Sequence, residues 1–129
     1  LRRYLDARHE NGGMADMTPG DYVAMVEETA VDTFVTEYRT ADGDLLACLL
    51  GDRMRDGISL VYSFFDPRAD KRSLGSFMIL DQIARAKEAD HDHIYLGYLI
   101  EDCRKMAYKK RFGPLQKLGQ CGWEDYRPA

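Results

Sequence analysis

The run LLACLLGD, residues 45–52, is apolar at nearly every position. Strands that are buried on both faces carry such continuous runs, so this one predicts the central strand of a sheet. Residues 33–39 before it and residues 58–66 after it alternate between two faces. Turn signals at Ala41–Asp44 and Asp56–Gly57 separate the three segments. The sequence therefore predicts an antiparallel meander of three strands.

A helix from Ser73 to Ala89 is predicted to follow the meander. Its apolar side chains wrap most of the helix circumference: Leu74, Phe77, Met78, Ile79, Leu80 and Ile83. A helix with that pattern is expected to be buried against the sheet. A strand at residues 94–98, a basic helix and a last strand at residues 115–118 complete the order. The predicted fold class is α+β, with a mixed sheet flanked by helices.

The N-terminal part of the chain carries helix signals. Residues 1–9 have the pattern of the end of a helix, which Gly12–Gly13 interrupts. Thr18 is predicted to cap a second, short helix, with Pro19 at its first position and Asp21 completing a capping box.

Length and composition predict a single domain, residues 1–129, in the cytoplasm. The 45% hydrophobic content is enough for a core, and no apolar run reaches the length of a membrane span. The three cysteines are widely spaced and form no C-x-x-C pair, which favours a reducing compartment over a disulfide framework. The net charge of −4 argues against indiscriminate binding of nucleic acid, although a local basic patch can still hold a specific one.

The stretch YLGYLIEDCRKMAYKKRF, residues 95–112, combines aromatic and cationic side chains. On a helix, residues 104 and 108 share a surface, as do residues 105 and 109. Such a surface suits a polyanion with exposed bases, because cations meet phosphates and rings stack on bases. The alternative is a solvated helix with half-buried tyrosines.

The loop Arg72–Ser76 leads from the meander into the predicted helix 73–89. Unsatisfied N–H groups at a helix N-terminus attract an anion or a reacting carbonyl oxygen. In acyltransferases of the acetyltransferase-like fold this loop reads Q/R-x-x-G-x-G/A and holds a pyrophosphate. Phe77 stands at the last position of that pattern here, so the match is partial and speaks against coenzyme A. An ordinary helix start needs no ligand.

Other polar side chains leave alternatives open. Asp66 ends a strand and is either a general base, a substrate clamp or a turn residue that bonds its own backbone. His91 and His93 are two residues apart, but a polar turn explains them better than a metal site, and no metal is expected. Asp81, on an otherwise apolar helix, lies at a solvent seam or pairs with a buried arginine, and is not predicted to be catalytic.

Several phrases of the sequence together resemble one family. They are Tyr4–His9 with Gly12–Met14; Glu37–Arg39; Tyr62–Pro67; Ser73–Ser76; Tyr95–Tyr98; Cys103–Met106; and Tyr108–Lys109. The chain resembles the C-terminal domain of aminoacyl-tRNA–protein transferases, which are the arginyltransferases and the bacterial aspartate/glutamate leucyltransferases. The resemblance extends from Tyr4 to about Trp123. It implies the acetyltransferase-like (GNAT) fold, and the family's cysteine-bearing N-terminal domain is expected to be absent here.

The resemblance implies an enzyme that transfers an amino acid from aminoacyl-tRNA to a protein with N-terminal Asp or Glu, marking that protein for degradation. Aminoacyl-tRNA is then a co-substrate, and no other cofactor is expected. Leucine is the expected amino acid and arginine the alternative. An apolar donor pocket of Leu60, Tyr62 and Phe64, which alternation places on one face, would favour leucine.

The resemblance also implies roles for single residues. Asp66 and Tyr98 are the catalytic candidates, and the amides of Arg72, Ser73, Leu74, Gly75 and Ser76 would face the ester. Arg8 and His9 would bind the acidic side chain of the acceptor. The tRNA would be bound by cationic and aromatic side chains: Tyr95, Arg104, Lys105, Tyr108, Lys109, Lys110 and Arg111.

Two other classes of protein remain open at this point. One is a coenzyme A-dependent N-acetyltransferase on the same fold, which acetyl-CoA would stabilise. The other is a tRNA-binding module without turnover, which would bind tRNA and transfer nothing.

Overall fold

The computed structural model describes residues 18–27, 30–98 and 108–127. These fall into two compact units, the first ending at Gly97 and the second beginning at Tyr98. No helix in the described ranges is long and apolar enough to cross a membrane.

The first unit opens with helix α1, Pro19–Glu27, whose start follows the predicted capping box. The N–H of Thr18 donates to Oδ2 of Asp21 at 2.9 Å, and the N–H of Asp21 donates to Oγ1 of Thr18 at 3.1 Å. These hydrogen bonds from Thr18 lower the pKa of Asp21. Tyr22 packs edge-on against Phe64 of the sheet, with ring centroids 5.8 Å apart, so α1 lies against the sheet through an aromatic contact.

The sheet has four strands in chain order. They are β1 (Asp32–Arg39), β2 (Leu45–Arg53), β3 (Gly57–Phe65) and β4 (His93–Tyr95). The first three form the predicted antiparallel meander, and β4 pairs parallel to β3 after the chain crosses over through helix α2, Leu74–Glu88. The predicted mixed α+β sheet is confirmed.

The core lies between the sheet and α2. Ala47 and Leu49 of β2 meet Leu74 and Met78 of α2, and all four are at most 7% exposed. Partly buried hydrophobic residues surround them: Phe34, Tyr38, Leu46, Leu60, Phe65 and Ala69. The apolar run that predicted a central strand is thus the one that the structure buries most completely.

A β-bulge divides the side chains of β3 between the two faces of the sheet. Leu50 pairs with Tyr62 and Gly51 pairs with Leu60, so β3 has one residue more than β2 at this point. Leu60 consequently packs into the α2 core, whereas Phe64 lies on the α1 side with its partner Cys48. The predicted shared face of Leu60, Tyr62 and Phe64 is therefore wrong, because one inserted residue reverses the alternation.

Helix α2 is amphipathic rather than buried all round. Its buried side chains are Leu74, Met78, Ile79, Gln82 and Ala86. Phe77, Leu80 and Ile83 are instead 52%, 57% and 38% exposed. The predicted packing of this helix against the sheet is confirmed, but these three apolar residues are left exposed, because the sheet covers one side of α2 only.

The parallel ladder of β3 and β4 is short. It joins residues 57–59 to residues 93–95, whereas β3 continues to Phe65. Gly97 has a φ of 81°, which a strand does not use, and the predicted extension of the strand to Tyr98 is wrong.

The second unit contains a 3₁₀ helix and a β-hairpin. The 3₁₀ helix is Tyr108–Arg111, where an α-helix was predicted. The predicted strand at residues 115–118 is present as β5 (Leu115–Gly119), but it pairs with an unpredicted β6 (Gly122–Tyr126). These two strands form a two-stranded sheet of their own.

Candidate functional site

Asp66 follows β3 directly and is held by both its backbone and its side chain. Its N–H donates to the carbonyl of Leu46 at 2.8 Å. Its Oδ1 accepts from the N–H of Arg68 at 3.0 Å, and its Oδ2 accepts from Nη2 of Arg68 at 2.8 Å. Asp66 therefore bonds the backbone of its own turn, as one of its predicted roles required, and its carboxylate also forms an ion pair with Arg68. The same ion pair raises the pKa of Arg68.

A shallow concavity surrounds this ion pair. It lies between the β1–β2 turn and the 3₁₀ helix Pro67–Arg72, and the lining residues are Thr40, Asp44, Leu45, Leu46, Asp66, Arg68 and Ala69. The side chain of Asp66 is 12% exposed and that of Arg68 is 75% exposed. Two carboxylates and one guanidinium at an open surface can hold a small charged group such as an ammonium.

The loop before α2 has a strained backbone. Ser73 precedes the helix with φ 50° and ψ 48°, a left-handed conformation that serine rarely adopts, and its side chain does not cap the helix. The N–H of Phe77 donates to the carbonyl of Ser73 at 3.0 Å as the first bond of the helix. The amides of Leu74, Gly75 and Ser76 come before that bond and so lack intrahelical acceptors. The side chains of residues 70–72, Arg72 included, lie outside the described set.

A polar network that the sequence did not predict joins β1 to α2. The hydroxyl of Tyr38 donates to Oδ2 of Asp81 at 2.6 Å, and Nε of Arg85 donates to the same oxygen at 2.8 Å. Nε2 of Gln82 donates to the hydroxyls of Tyr38 and Thr36 at 3.1 and 3.2 Å. Asp81 does pair with an arginine, but the prediction that this arginine is buried is wrong, because the side chain of Arg85 is 57% exposed.

Burial affects both the pKa of Tyr38 and the hydrogen bonding of Gln82 in this network. Partial burial, followed by the hydrogen bond to Asp81, raises the pKa of Tyr38 to about 12. Gln82 is fully buried, and its Oε1 has no hydrogen-bond partner within the described part of the chain. The signal available in the sequence was the Asp81–Gln82 pair interrupting an apolar helix, but its partners Thr36 and Tyr38 lie more than 40 residues away.

Tyr95 and the two histidines lie at the other end of the ladder. The hydroxyl of Tyr95 donates to Oδ2 of Asp56 at 2.8 Å, which raises the pKa of Tyr95. Nδ1 of His93 lies 3.8 Å from the same oxygen, and the backbone carbonyl of Asp56 accepts from the N–H groups of Asp92 and His93. Among the described residues, no group of three or more His, Cys, Asp or Glu could hold a metal. His91 lies in the polar link between α2 and β4, and His93 is the first residue of β4.

The candidate residues of the first unit are only partly brought together. Asp66 and the loop Ser73–Ser76 flank one 3₁₀ helix. Tyr95 pairs with Ser59 of β3, and Asp66 lies seven residues further along the chain than Ser59. At about 3.3 Å per residue this corresponds to roughly 20 Å, so the structure does not bring Tyr95 to Asp66.

The second unit holds the remaining candidates that are described. The side chain of Tyr98 is 87% exposed, and Nζ of Lys109 donates to its carbonyl at 3.3 Å. Tyr108 packs edge-on against Phe112. A 3₁₀ helix turns by about 120° per residue, so Lys109, Lys110 and Arg111 point in three directions instead of lining one face. Arg8, His9, Arg104 and Lys105 lie outside the described residues.

A cysteine nucleophile finds no support in the first unit. Cys48 is buried in β2 at 5% exposure, and burial raises the pKa of its thiol. A reactive cysteine needs the opposite, an exposed thiol whose pKa is lowered.

Comparison with known proteins gives the family. Residues 1–119 match the family model described as arginine-tRNA-protein transferase, C terminus. The chain belongs to this family. Three similar relatives are named aspartate/glutamate leucyltransferase. They come from Mesorhizobium japonicum (53% identity over 98% of this chain), Rhizobium leguminosarum bv. trifolii (50% over 100%) and Parvibaculum lavamentivorans (54% over 95%).

This member of the family spans about half the length of those relatives, namely 54%, 54% and 51%. Among solved structures it is similar to a Klebsiella pneumoniae protein assigned as an acyl-CoA N-acyltransferase. The TM-score is 0.57 at 18% identity, over 96% of this chain and 77% of the other. This likeness concerns the fold alone, and it confirms the predicted acetyltransferase-like fold.

Proposed function

We propose that this chain is the acetyltransferase-like part of an aminoacyl-tRNA–protein transferase, which moves leucine from leucyl-tRNA to the α-amine of proteins beginning with Asp or Glu. The observation that carries the proposal is identity of 50–54% to three aspartate/glutamate leucyltransferases along nearly the whole chain. Because those proteins are about twice as long, the complete reaction is proposed for this chain together with the other half. Marking of the product for degradation belongs to the same proposal.

In the proposed reaction the protein itself forms no covalent bond with either substrate. The acceptor α-amine attacks the ester carbonyl at the tRNA 3′ end, a C–N bond forms, and the C–O bond to the ribose breaks. The bound ammonium first releases one proton to solvent; the neutral amine then loses a second proton on attack and the leaving ribose oxygen gains one, so the step balances without an oxidant or a reductant. Since the ester is already activated, the main tasks are to align the two substrates and to stabilise the oxyanion.

The Asp66 concavity is the proposed seat of the acceptor α-amine. Asp66 is mostly shielded and lies with Asp44 in an open concavity, which suits an ammonium group. Its carboxylate already accepts from Arg68, an arrangement better suited to holding a cation than to accepting a proton. We therefore assign Asp66 to binding the amine, and the exposed hydroxyl of Tyr98 to hydrogen bonding at the reacting ester.

The start of α2 is the proposed oxyanion site. The amides of Leu74, Gly75 and Ser76 precede the first intrahelical hydrogen bond and lie at the positive end of the helix dipole. The left-handed Ser73 sets their direction, and strained backbone of this kind is concentrated at functional sites. Arg72 completes this loop in the proposal.

Binding of tRNA is assigned to the cations and tyrosines of the 95–111 stretch. The described members are Tyr95, Tyr108, Lys109, Lys110 and Arg111, and the proposal adds Arg104 and Lys105. Arg8 and His9 are assigned to the acidic side chain of the acceptor. Phosphate contacts predict that log affinity falls with log salt by about 0.7–0.9 for each contact.

Transfer kinetics test the proposal. The chain, joined to the N-terminal half of the Mesorhizobium japonicum relative, is given leucyl-tRNA or arginyl-tRNA and a peptide that begins with Asp, Glu or Gly. Incorporation of leucine into the Asp and Glu peptides alone is the expected result. Incorporation of arginine instead of leucine would show that the donor is arginyl-tRNA. Binding of tRNA without any transfer would show that the protein is a tRNA-binding module and not a transferase.

Asp66→Asn, with Asp44→Asn as the matched control, tests the amine site in the same assay. Loss of the negative charge at Asp66 should raise the KM for the acceptor peptide at least tenfold and leave the KM for leucyl-tRNA unchanged. Asp44→Asn removes the same charge from the same concavity without breaking the Arg68 ion pair, so its effect should be smaller. Equal increases in the KM for the acceptor peptide in the two variants would contradict the assignment of Asp66 to binding the acceptor amine.

A further inference from the structure

Helix α2 carries an apolar stripe on the side that faces away from the sheet. Phe77, Leu80 and Ile83 are 52%, 57% and 38% exposed, and Ala84 beside them is exposed as well. At about 100° per residue, these four side chains fall within one sector of about 120° around the helix axis. The five buried side chains of α2 are centred on the opposite side. We call the exposed set the α2 stripe.

The polar network between β1 and α2 borders one edge of the stripe and fixes it. The ring of Phe77 packs edge-on against Tyr38, with centroids 5.8 Å apart and planes at 78°. The hydroxyl of Tyr38 donates to Asp81, which also forms an ion pair with Arg85 at 2.8 Å. These polar side chains bond one another, and the stripe beside them contains apolar side chains alone. A surface that is held in place in this way loses little conformational entropy when a partner binds.

Apolar side chains on two opposite sides of one helix are typical of a helix that lies between two layers. The sheet is the first layer over α2, and it buries Leu74 and Met78. Single exposed hydrophobic residues need no partner, but a contiguous set on a rigid helix indicates a contact surface. The α2 stripe therefore predicts a second layer.

The area of the stripe argues against a second copy of the chain as its partner. The exposed apolar surface is roughly 300 Å², because each of its side chains leaves about half of its surface uncovered. Two copies paired through the stripe would bury about 600 Å² in all, whereas specific interfaces between separate proteins bury about 1,200 Å² or more. A partner within the same polypeptide needs less area, because the tether gives it an effective concentration in the millimolar range. The stripe therefore suits another domain of one chain.

The relatives of this protein contain such a domain-sized segment. The chain covers 54%, 54% and 51% of the three leucyltransferases, so nearly half of each relative lies outside the match. That remainder is roughly 110 residues, the size of a typical domain. The matching family model describes a C terminus, which places the remainder of the relatives on the N-terminal side.

We propose that the α2 stripe is the docking surface for the N-terminal half found in these relatives, which packs an apolar face against Phe77, Leu80 and Ile83. The docked half forms the second layer over α2. Since α2 begins at Leu74, within the Ser73–Ser76 loop, docking also restrains the loop to which the oxyanion is assigned. The docking itself rests on family membership and on the length of the relatives, and it does not depend on which amino acid is transferred.

Hydroxyl-radical footprinting, read by mass spectrometry, compares the chain alone with the chain joined to the N-terminal half of the Mesorhizobium japonicum relative. Oxidation of Phe77 and Leu80 should fall about fivefold or more in the joined protein, because side chains at the centre of an interface lose nearly all contact with water. Val23 of α1 is 48% exposed and is the internal control, which should be oxidised equally in both proteins.

Two results would overturn the docking. The first is unchanged oxidation of Phe77 and Leu80 in the joined protein. The second is strong protection of both residues in the chain alone, which would assign the stripe to another part of the chain, or to a second copy if the protection fades on dilution.

Leu80→Lys places a charge in the middle of the stripe and tests the docking through thermal unfolding. In the chain alone the variant should change Tm by less than about 3 °C, because the substituted side chain is exposed. In the joined protein it should lower Tm by roughly 4–8 °C, since the ammonium then loses water against an apolar surface. Val23→Lys makes the same change at an exposed position of α1 and should have a small effect in both proteins. Equal shifts for Leu80→Lys in the two proteins would contradict the docking.

Failure of the docking and failure of the proposed function give different results. Leucine transfer by a joined protein whose stripe stays fully oxidised would overturn the docking and leave the transferase standing. Protection of the stripe in a joined protein that transfers no amino acid would do the reverse. If the joined protein fails to fold, the intact Mesorhizobium japonicum relative is footprinted beside this chain. The positions of the relative that align with the α2 stripe should then be protected, and their full oxidation would overturn the docking.

Discussion

Replacing Tyr38 by phenylalanine tests the network that ties β1 to α2. The change removes a hydroxyl that donates to Asp81 at 2.6 Å and accepts from Gln82. A hydrogen bond to a charged group contributes about 1.5–3 kcal/mol. Asp81 retains Arg85 and Gln82 retains Thr36, so we expect a loss at the lower end, about 1.5–2 kcal/mol. For a chain of 129 residues this lowers Tm by roughly 5–10 °C.

The pH dependence of stability gives the same prediction a sharper form. The pKa of Tyr38 is raised to about 12 in the folded state, against about 10 in the unfolded chain. The folded state therefore binds the hydroxyl proton of Tyr38 more tightly than the unfolded chain does. The resulting contribution to the free energy of unfolding is complete below pH 10 and is lost as the pH rises from 10 to 12. Two pKa units correspond to about 2.7 kcal/mol, which partial exposure of the ring reduces to about 1–2 kcal/mol.

Urea unfolding at several pH values, followed by circular dichroism, measures both quantities. The free-energy difference between wild type and Tyr38→Phe should be about 1.5–2 kcal/mol at pH 8 and should shrink between pH 10 and 12. Tyr95→Phe is the matched control, since it removes a hydroxyl that donates to Asp56 at 2.8 Å at an exposed site, and it should change stability much less. A difference that stays constant up to pH 12, or equal effects of the two variants, would refute the reasoning.

Three further predictions concern backbone and ligand. Ser73→Gly should stabilise the fold by about 1 kcal/mol in urea unfolding, because glycine adopts the left-handed conformation without strain; no gain would mean that the conformation is unstrained. Gly51→Ala should cost about 1 kcal/mol, since a Cβ there lies 2.5 Å from the movable ring of Phe34, whereas Gly57→Ala should cost about 2–3 kcal/mol, since its Cβ meets the backbone carbonyl of His93. The reverse order would contradict the packing described. Acetyl-CoA should leave Tm unchanged, whereas a ligand at 100 times its Kd adds about 2.7 kcal/mol; such a shift would favour an N-acetyltransferase.

The local rules of the sequence predicted most of the first unit. The apolar run 45–52 and its alternating neighbours specified the meander, and Thr18 with Asp21 specified the start of α1. Both signals are local, because they depend on residues within one strand or one helical turn. The structure confirms them.

The errors arose where structure depends on distant partners. A bulge at Leu60–Tyr62 depends on how β2 and β3 align, and no single-strand pattern contains that information. The exposed face of α2 depends on how much surface the sheet covers, and not on the helix itself. β6 was missed because the consecutive acidic residues Glu124 and Asp125 separate Trp123 from Tyr126 and interrupt the alternation of apolar and polar positions. Its pairing also depends on a two-residue turn at Gln120–Cys121.

The candidate site was predictable to a smaller extent. Asp66 and the Ser73–Ser76 loop were found from their positions after a strand and before a helix, and their proposed roles remain predictions. The Tyr38 network was not found, since its members are more than 40 residues apart in sequence.

Mass spectrometry of the acceptor peptide tests the central claim most directly. After incubation with leucyl-tRNA and the chain joined to a relative's N-terminal half, an Asp-initiated peptide should carry one additional leucine, located at its N-terminus by fragmentation. The corresponding Gly-initiated peptide should be unchanged. An unmodified Asp peptide in the presence of intact leucyl-tRNA, or leucine attached equally to both peptides, would contradict the account.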